Sequence, residues 1–330
     1  MLELLKNPNV IAGIVSAITA LIVLFITLFT KNYIERNLLT SKLNIEYKFS
    51  QRKQIKEILG LNKVQLNNVC NELKKRIGNH YRNNEKGWLK RNTSTYDDEY
   101  FSSFIYRFIS VFAWIEIIER ELFFLDSTVS VKSDLEFIKF LKIFQRVMCS
   151  DYLPKHNSEG KEINDHFNRD DLKELAIIFI TQKTVITYSQ FKLKLKKDKN
   201  QFIKVCNFFD NINPIENRVR WDRLYYLQLC ISAYLNQFGY DFQFSPPNKI
   251  KFYFTKPRYS KNYNDFLILC SDYKLSKNKG IKMIAKLIKK EKFTLPRAEG
   301  TSRSNRIYYN ENNKISIISR LLLRRNKNGI

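Results

Sequence analysis

Five charged side chains interrupt the apolar stretch YRFISVFAWIEIIERE, residues 106–121. On a helical wheel the stretch is apolar nearly all round, with Arg107 on a narrow polar stripe and Glu119 within the most apolar face. A membrane span rarely contains five charges. We therefore predict the central helix of a helical body rather than a second crossing of the bilayer.

A buried carboxylate at Glu119 requires a partner, because an unpaired one costs several kcal/mol or is protonated. The second long apolar segment, residues 218–242, offers Arg220 near its helix start and Arg223 at the margin of its apolar face. We predict that Glu119 pairs with one of these two arginines, and Arg107 is a further candidate for a buried ion pair. The cluster is either an acid for proton transfer or a ligand pocket, or an ion pair that aligns two helices. We favour the ion pair.

A second group of residues with metal-ligand chemistry surrounds His166. Asp165, Asp170, Asp171 and Glu174 lie close to it in the sequence, but a zinc or manganese site would need further ligands from elsewhere. Acidic residues also favour the positive N-terminal end of a helix dipole. We prefer that interpretation and predict no metal site.

Signatures of catalysis and cofactor binding are missing from the sequence. It contains no glycine-rich phosphate loop, no G-K-[ST], no HExxH and no GxSxG. The five cysteines are far apart and form no CxxC, which predicts reduced thiols rather than disulfides or a zinc ribbon. We predict no cofactor, and a non-enzymatic protein is favoured over an enzyme.

The formal charge of +25 is concentrated in the last quarter of the chain. Residues 251–330 contain 20 Lys and Arg but only 5 Asp and Glu. Basic and aromatic residues together suit nucleic acid, whereas the charge alone suits anionic lipid headgroups or an acidic protein, or has no specific partner. The candidate basic surface consists of Lys286, Lys289, Lys290, Arg297, Arg324 and Arg325.

Residues 10–29 form a run of apolar and small residues without a charge. As a helix, this run is long enough to span a hydrocarbon core of about 30 Å. Basic residues are more frequent after it than before it, which predicts an uncleaved single-pass anchor in the cytoplasmic membrane, with the N-terminus outside and the body in the cytoplasm. Ala12, Ser16 and Ala20 form a small-residue ridge that would permit close helix packing and homo-oligomerisation, although such residues are common in any span.

The predicted fold class is mainly α: an N-terminal transmembrane helix, a cytoplasmic helical bundle and a small basic C-terminal module, α or α+β. The corresponding ranges are 1–8 outside the membrane, 9–30 in it, 31–245 for the bundle and 246–330 for the module. Apolar periodicity predicts the following elements: one long helix or two over 31–80, with a break at Gly60 as the alternative; a polar connection over 79–100; helices at 100–125, 132–149, 170–181 and 219–238; two short helices within 183–212; an extended linker or edge strand over 244–262; a basic amphipathic helix at 280–292; and a hairpin or a strand and helix at 306–325.

Several short motifs together resemble a widespread group of bacterial single-span membrane proteins with an all-helical cytoplasmic domain. The motifs are GWL (87–89), YRFISVFAWIEIIERE (106–121), DHFNRDDL (165–172), RWDRL (220–224) and NQFGYDFQ (236–243). The resemblance covers residues 45–243 and implies the architecture. It implies no activity, because the function of that group is unknown.

Three functions follow as hypotheses. The first is a membrane-anchored, non-enzymatic scaffold or sensor whose basic C-terminal module binds nucleic acid or another acidic partner. The second is a membrane effector that acts by oligomerisation of its transmembrane helix. The third is an enzyme with a buried-carboxylate site around Glu119.

Overall fold

A computed structural model describes residues 8–91, 99–150, 153, 165–216, 218–255 and 263–294 of the chain. Within these ranges the protein is almost entirely helical, which confirms the predicted mainly α fold class. The elements are α1 (Pro8–Arg82), α2 (Glu99–Leu122), α3 (Lys132–Cys149), α4 (Arg169–Ile178), β1 (Ile180–Thr181), β2 (Thr184–Val185), α5 (Tyr188–Lys197), α6 (Ile203–Phe209), α7 (Arg220–Phe238), α8 (Pro247–Thr255), α9 (Asn264–Asp272) and α10 (Lys279–Thr294).

Helix α1 is a single uninterrupted helix that is exposed in its first part and buried in its last part. Pro8 suits the first helical position, where its missing N–H costs no hydrogen bond. The alternative break at Gly60 does not occur, since a lone glycine costs a helix only about 1 kcal/mol. Side chains are exposed nearly throughout residues 8–54, and burial begins at Ile55.

Four helices form the centre of the body: the last part of α1 together with α2, α3 and α7. Asn62 donates to Glu121 at 2.7 Å and Glu72 pairs with Arg107 at 3.5 Å, so α2 runs antiparallel to α1. Helix α7 also runs antiparallel to α1. Its C-terminal Phe238 carbonyl accepts from Asn67, and at its other end Trp221 stacks on Tyr81 with ring centroids 5.6 Å apart.

Helix α2 is the most enclosed element of the body, as predicted for the stretch 106–121. Phe104, Phe108, Phe112 and Ile115 are all 2% exposed or less. The Phe108 ring lies 5.0 Å from that of Phe209 and is surrounded by further aromatic rings. Although α2 is long and apolar enough to cross a membrane, 83% of its most apolar window is buried within the protein. It is a core helix.

The segment that follows α3 departs from the prediction in one place. The predicted helix 170–181 ends at Ile178. Residues 180–185 form a β-hairpin whose two strands have two residues each, with Ile180 opposite Val185. Gln182 and Lys183 occupy its turn with φ of 48° and 63°. Two left-handed residues match the right-handed twist of the paired strands, but neither is a glycine, so the sequence did not reveal the turn.

The predicted extended linker over 244–262 is wrong for its first half, where residues 247–255 form α8. Of the three prolines on which the prediction rested, Pro247 occupies the first position of the helix, where proline is tolerated. Ile250, Tyr253 and Phe254 are buried against the core, and the Tyr81 hydroxyl donates to the Tyr253 carbonyl at 2.7 Å.

Residues 247–255 and 263–289 pack on the same core as the helices before them, and the compact unit that contains them ends at Lys289. Ile281, Ile284 and Ile288 of α10 are buried, as the amphipathic pattern predicts. Gly280 allows the close approach of α10, since a Cβ there would lie 2.8 Å from the Ala233 carbonyl oxygen. A second unit begins at Lys290, and the predicted elements at 306–325 lie outside the described residues.

Candidate functional site

A cavity of about 270 Å³ opens between α2, α3 and α4. Its floor is apolar, and its walls contain acidic and basic side chains in similar numbers. A concave site with a few polar groups above an apolar floor is typical of small-molecule binding. The lining residues are Phe112, Glu116, Glu119, Lys142, Gln145, Cys149, Arg169, Leu172, Lys173, Ala176 and Tyr273.

Glu119 lines this cavity, but its partners differ from those predicted. Lys142 of α3 lies 2.9 Å from a carboxylate oxygen of Glu119, and the Gln145 amide donates to the other oxygen at 3.2 Å. The Glu119 side chain retains 22% of its exposure, because it lies at the edge of the cavity. The predicted pairing with Arg220 or Arg223 is wrong, because α3 and not α7 stands opposite this part of α2.

Glu116, one turn earlier on α2, is the more deeply buried carboxylate. Its side chain is 7% exposed, and the Arg120 guanidinium donates to it at 2.7 Å. Lys173 of α4 lies 3.9 Å from the same oxygen. The i, i+4 spacing of Glu116 and Arg120 favours an ion pair on one helix, but the sequence does not indicate that Glu116 faces the cavity.

Arg220 and Arg223 are buried, and both serve the packing of α7. Arg220 forms a bidentate ion pair with Glu216, at 2.6 and 2.8 Å, one turn earlier in the chain. Arg223 donates to the backbone carbonyls of Val147, Ser150 and Leu153 at 3.0, 2.7 and 2.5 Å. A guanidinium has five donors in a fixed fork, so one side chain can satisfy several carbonyls at the end of α3.

Two residues of α2, Arg107 and Glu119, were predicted to form ion pairs, and of these Arg107 faces α1. It pairs with Glu72 at 3.5 Å and donates to the Ser103 carbonyl at 3.0 Å. Partial burial lowers the pKa of Arg107 from its usual value. The pair spans two helices, although Arg107 is 27% exposed and Glu72 56% exposed, so it lies at the surface rather than in the core.

Two arginines, Arg169 in the lining of the cavity and Arg146 on α3, have no ion pair with an acid among the described residues. Arg169 lines it from α4, and Arg146 lies on the face of α3 that carries Lys142, Gln145 and Cys149. Neither guanidinium forms an ion pair or hydrogen bond within the part of the chain that the structure describes. Burial raises the pKa of the Cys149 thiol to about 11, while the positive charges of Arg169 and Arg146 oppose that rise.

The residues around His166 are not assembled into a metal site among the described residues. Asp165 is almost fully buried and receives two hydrogen bonds from Arg218, at 2.6 and 2.8 Å. Asp171 pairs with Lys204. The same described ranges contain no group of three or more His, Cys, Asp or Glu placed to hold a metal ion. Asp170 and Asp171 occupy the first turn of α4, where acidic residues favour the helix dipole.

Helix α10 carries a face of exposed lysines. Lys279, Lys282, Lys286 and Lys289 fall within a sector of about 80°, opposite the buried isoleucines. None of these four has an ion pair in the described part of the chain. Lys290 is exposed as well and belongs to the second unit. Arg297, Arg324 and Arg325, predicted for the same surface, lie outside the described residues.

The first part of α1 is the most apolar exposed surface among the described residues. Its most apolar window has a mean hydropathy of 2.7 and none of it is buried, so by length and composition α1 could cross a membrane. Ala12, Ser16 and Ala20 lie along one side of it, all exposed. Beyond this window, Ile34, Leu38, Ile45 and Phe49 are 54–70% exposed within a sector of about 60°.

No protein-family model, curated protein or solved structure matches this chain.

Proposed function

We propose that the protein is a membrane-anchored, non-enzymatic sensor or scaffold that binds an acidic partner, nucleic acid first among them, on the lysine face of α10. In this proposal residues 9–30 cross the cytoplasmic membrane with the N-terminus outside, and the body lies in the cytoplasm. The observation that carries the proposal is the continuity of α1, which joins the exposed apolar segment to the core of the body without a break.

The length of α1 favours a partner other than the membrane itself. From Phe29 to the first buried side chain, Ile55, the helix rises about 39 Å. With α1 along the membrane normal, the body lies several Debye lengths from the lipid headgroups, since that length is about 8 Å at physiological salt. Gly280 at the start of α10 packs on Ala233 of α7, so this end of α10 lies on the body and not on the exposed first part of α1.

The lysine face has the geometry of a phosphate-binding surface. Its four lysines cover about 15 Å along the helix axis at intervals of one turn, so one nucleic-acid strand lying along the helix would present several phosphates to them. Because these lysines are not engaged by acidic side chains in the described part of the chain, no internal ion pair has to break before a partner binds.

The test measures binding of fluorescent RNA and duplex DNA to the full chain in phosphatidylcholine nanodiscs at low and physiological salt. The triple variant Lys282→Gln, Lys286→Gln, Lys289→Gln should weaken binding and reduce the slope of log K against log salt by about 2 to 3. Unchanged affinity and slope in this variant would refute the proposal. The charge-matched control removes three exposed lysines on other elements: Lys90, Lys183 and Lys197.

A second arm of the test separates nucleic acid from membrane. Full chain in neutral nanodiscs is mixed with vesicles containing phosphatidylserine, and co-sedimentation is measured. If the lysine face binds these vesicles but neither RNA nor DNA, the surface recognises lipid headgroups and the nucleic-acid assignment is wrong.

A second candidate function, an effector that oligomerises through α1, is favoured by the exposed apolar stripe at Ile34, Leu38, Ile45 and Phe49. Two copies anchored in one bilayer would hold these stripes parallel, and the ridge at Ala12, Ser16 and Ala20 would permit close approach within the membrane. Ser16→Leu should then reduce cross-linking of the full chain in membranes, whereas Ala17→Leu, a similar enlargement about 100° around the helix, should reduce it less. If both variants cross-link as much as the original chain, the ridge is not the surface through which α1 self-associates.

A further inference from the structure

We infer that a small cavity between α1, α7 and α8 binds phosphate, either as the free ion or as the terminal group of a phosphate monoester. Four basic residues line it: Lys74, Lys75 and Arg82 on α1, and Lys249 on α8. The lining contains no acidic residue. The site shares no residue with the lysine face of α10, and it does not depend on the function proposed above.

Lys74 is the most buried of the four cations. It is 5% exposed, and its ammonium group donates to the Gln243 carbonyl at 2.6 Å and to the Ser245 hydroxyl at 3.0 Å. An ammonium group has three donors, so one of them has no acceptor in the described part of the chain. A buried charge is normally paired with an opposite charge, but no acid forms an ion pair with Lys74 among the described residues. An anion in the cavity would supply both the missing acceptor and the missing negative charge.

The other three cations, Lys75, Arg82 and Lys249, are exposed and form the outer part of the lining. Their side chains have no ion pair or hydrogen bond within the ranges that the structure describes. Burial lowers the pKa of Lys74 to about 8, and the positive charges of Lys249 and Lys75 contribute to the decrease. Four positive charges therefore repel one another around one cavity, and the two negative charges of a phosphate would reduce that repulsion.

The size of the cavity suits a tetrahedral anion. Its volume of about 60 Å³ has room for about four or five water molecules, and the four oxygens of phosphate would take similar positions. Three hydroxyl groups, those of Ser232, Ser245 and Tyr253, complete the lining. Because the Ser245 oxygen accepts from Lys74, its own proton remains available to a bound oxygen. The carbon skeleton of a monoester would lie outside the cavity.

Calorimetry tests the site on the full chain in neutral nanodiscs, titrated with inorganic phosphate or, at equal ionic strength, with acetate. Phosphate should bind and acetate should not, since acetate has one charge and two oxygens. Lys75→Gln and Lys249→Gln should each weaken phosphate binding about tenfold, because each removes a charge-assisted hydrogen bond. Both lysines are exposed, so neither variant should unfold the body. The control Lys56→Gln removes an exposed lysine of α1 outside the lining and should leave the affinity unchanged.

Methyl phosphate distinguishes the two sources of the phosphate group in the same experiment. If it binds as tightly as inorganic phosphate, the site accepts a monoester. If it binds about tenfold more weakly or worse, the site is restricted to the free ion. Both results support a phosphate site.

The pH dependence of sulfate binding gives a second measurement that depends on Lys74. Sulfate has the shape of phosphate and keeps its charge in neutral and weakly basic solution. A bound anion favours the charged form of Lys74, so its affinity should fall about tenfold as the pH rises from about 7 to about 9, through the pKa of about 8. Lys75, Lys249 and Cys70 also act on Lys74, and burial raises the pKa of the Cys70 thiol, which therefore stays neutral. Lys74→Met should bind sulfate weakly and without this pH dependence.

Four results would each overturn the assignment. They are phosphate that does not bind or binds no better than acetate, unchanged affinity in both Lys75→Gln and Lys249→Gln, equal weakening by Lys56→Gln, and sulfate affinity that does not change with pH.

Discussion

Arg223 offers the sharpest test of how the body is held together. Its guanidinium is 1% exposed and donates three hydrogen bonds to the carbonyls of Val147, Ser150 and Leu153. Hydrogen bonds to a charged group contribute about 1.5 kcal/mol each at the low end, so three amount to about 4 to 5 kcal/mol. Methionine fills a similar volume and avoids burial of a charge, which offsets part of the loss.

We therefore expect Arg223→Met to lower the free energy of unfolding of the body by about 3 kcal/mol or more. The measurement is urea unfolding of the full chain in detergent, followed by tryptophan fluorescence. Arg82→Met, at an exposed arginine of α1, is the control and should change stability by less than about 0.5 kcal/mol. A loss below about 1 kcal/mol for Arg223→Met would refute the account of the α3–α7 junction.

Three further predictions concern single residues. Glu119→Gln should cost less than about 1 kcal/mol, because its ion pair with Lys142 is partly exposed; a loss above about 3 kcal/mol in urea unfolding would indicate a buried pair instead. His80 donates from Nε2 to the Ile212 carbonyl, and burial lowers its pKa below the usual 6.5. The unfolded chain therefore binds more protons than the folded chain. The free energy of unfolding should fall as the pH drops below 6.5 toward the lowered pKa of the folded state. A His80→Asn variant whose free energy of unfolding depends on pH in the same way as that of the original chain would contradict this prediction. Among the five cysteines, Cys149 should be alkylated first in the folded chain, because it is the one that is not fully buried; mass spectrometry that finds another cysteine modified as fast would contradict it.

The helices of the body could be predicted because the apolar residues that recur at helical spacing are the ones buried in the folded state. The predicted helix 132–149 coincides with α3, and the prediction for 219–238 differs from α7 by one residue. Helix α8 was missed because Pro246, Pro247 and Pro257 weigh against a helix, whereas a proline at the first helical position is harmless.

The candidate site was harder to predict, because a helical wheel shows which face of its helix a side chain occupies but not which other helix packs against that face. Glu119 was correctly identified as facing a neighbour, yet the neighbour is Lys142 of α3. Arg223 was identified as buried, but its partners are backbone carbonyls, which leave no mark on a side-chain pattern. Arg169 lines the cavity without an ion pair among the described residues, which its position in the sequence does not indicate.

Membrane extraction tests the central claim, that α1 anchors the body in a membrane, most directly. Membranes from cells that produce the full chain are treated with alkaline carbonate, and the chain is followed in the pellet and supernatant. We expect the original chain to remain in the pellet and the variant Ile18→Arg, Ile22→Arg to be released, since each arginine at the centre of a span costs about 3 kcal/mol. If carbonate releases the original chain as readily as the double variant, α1 is not a membrane anchor and the proposed function fails.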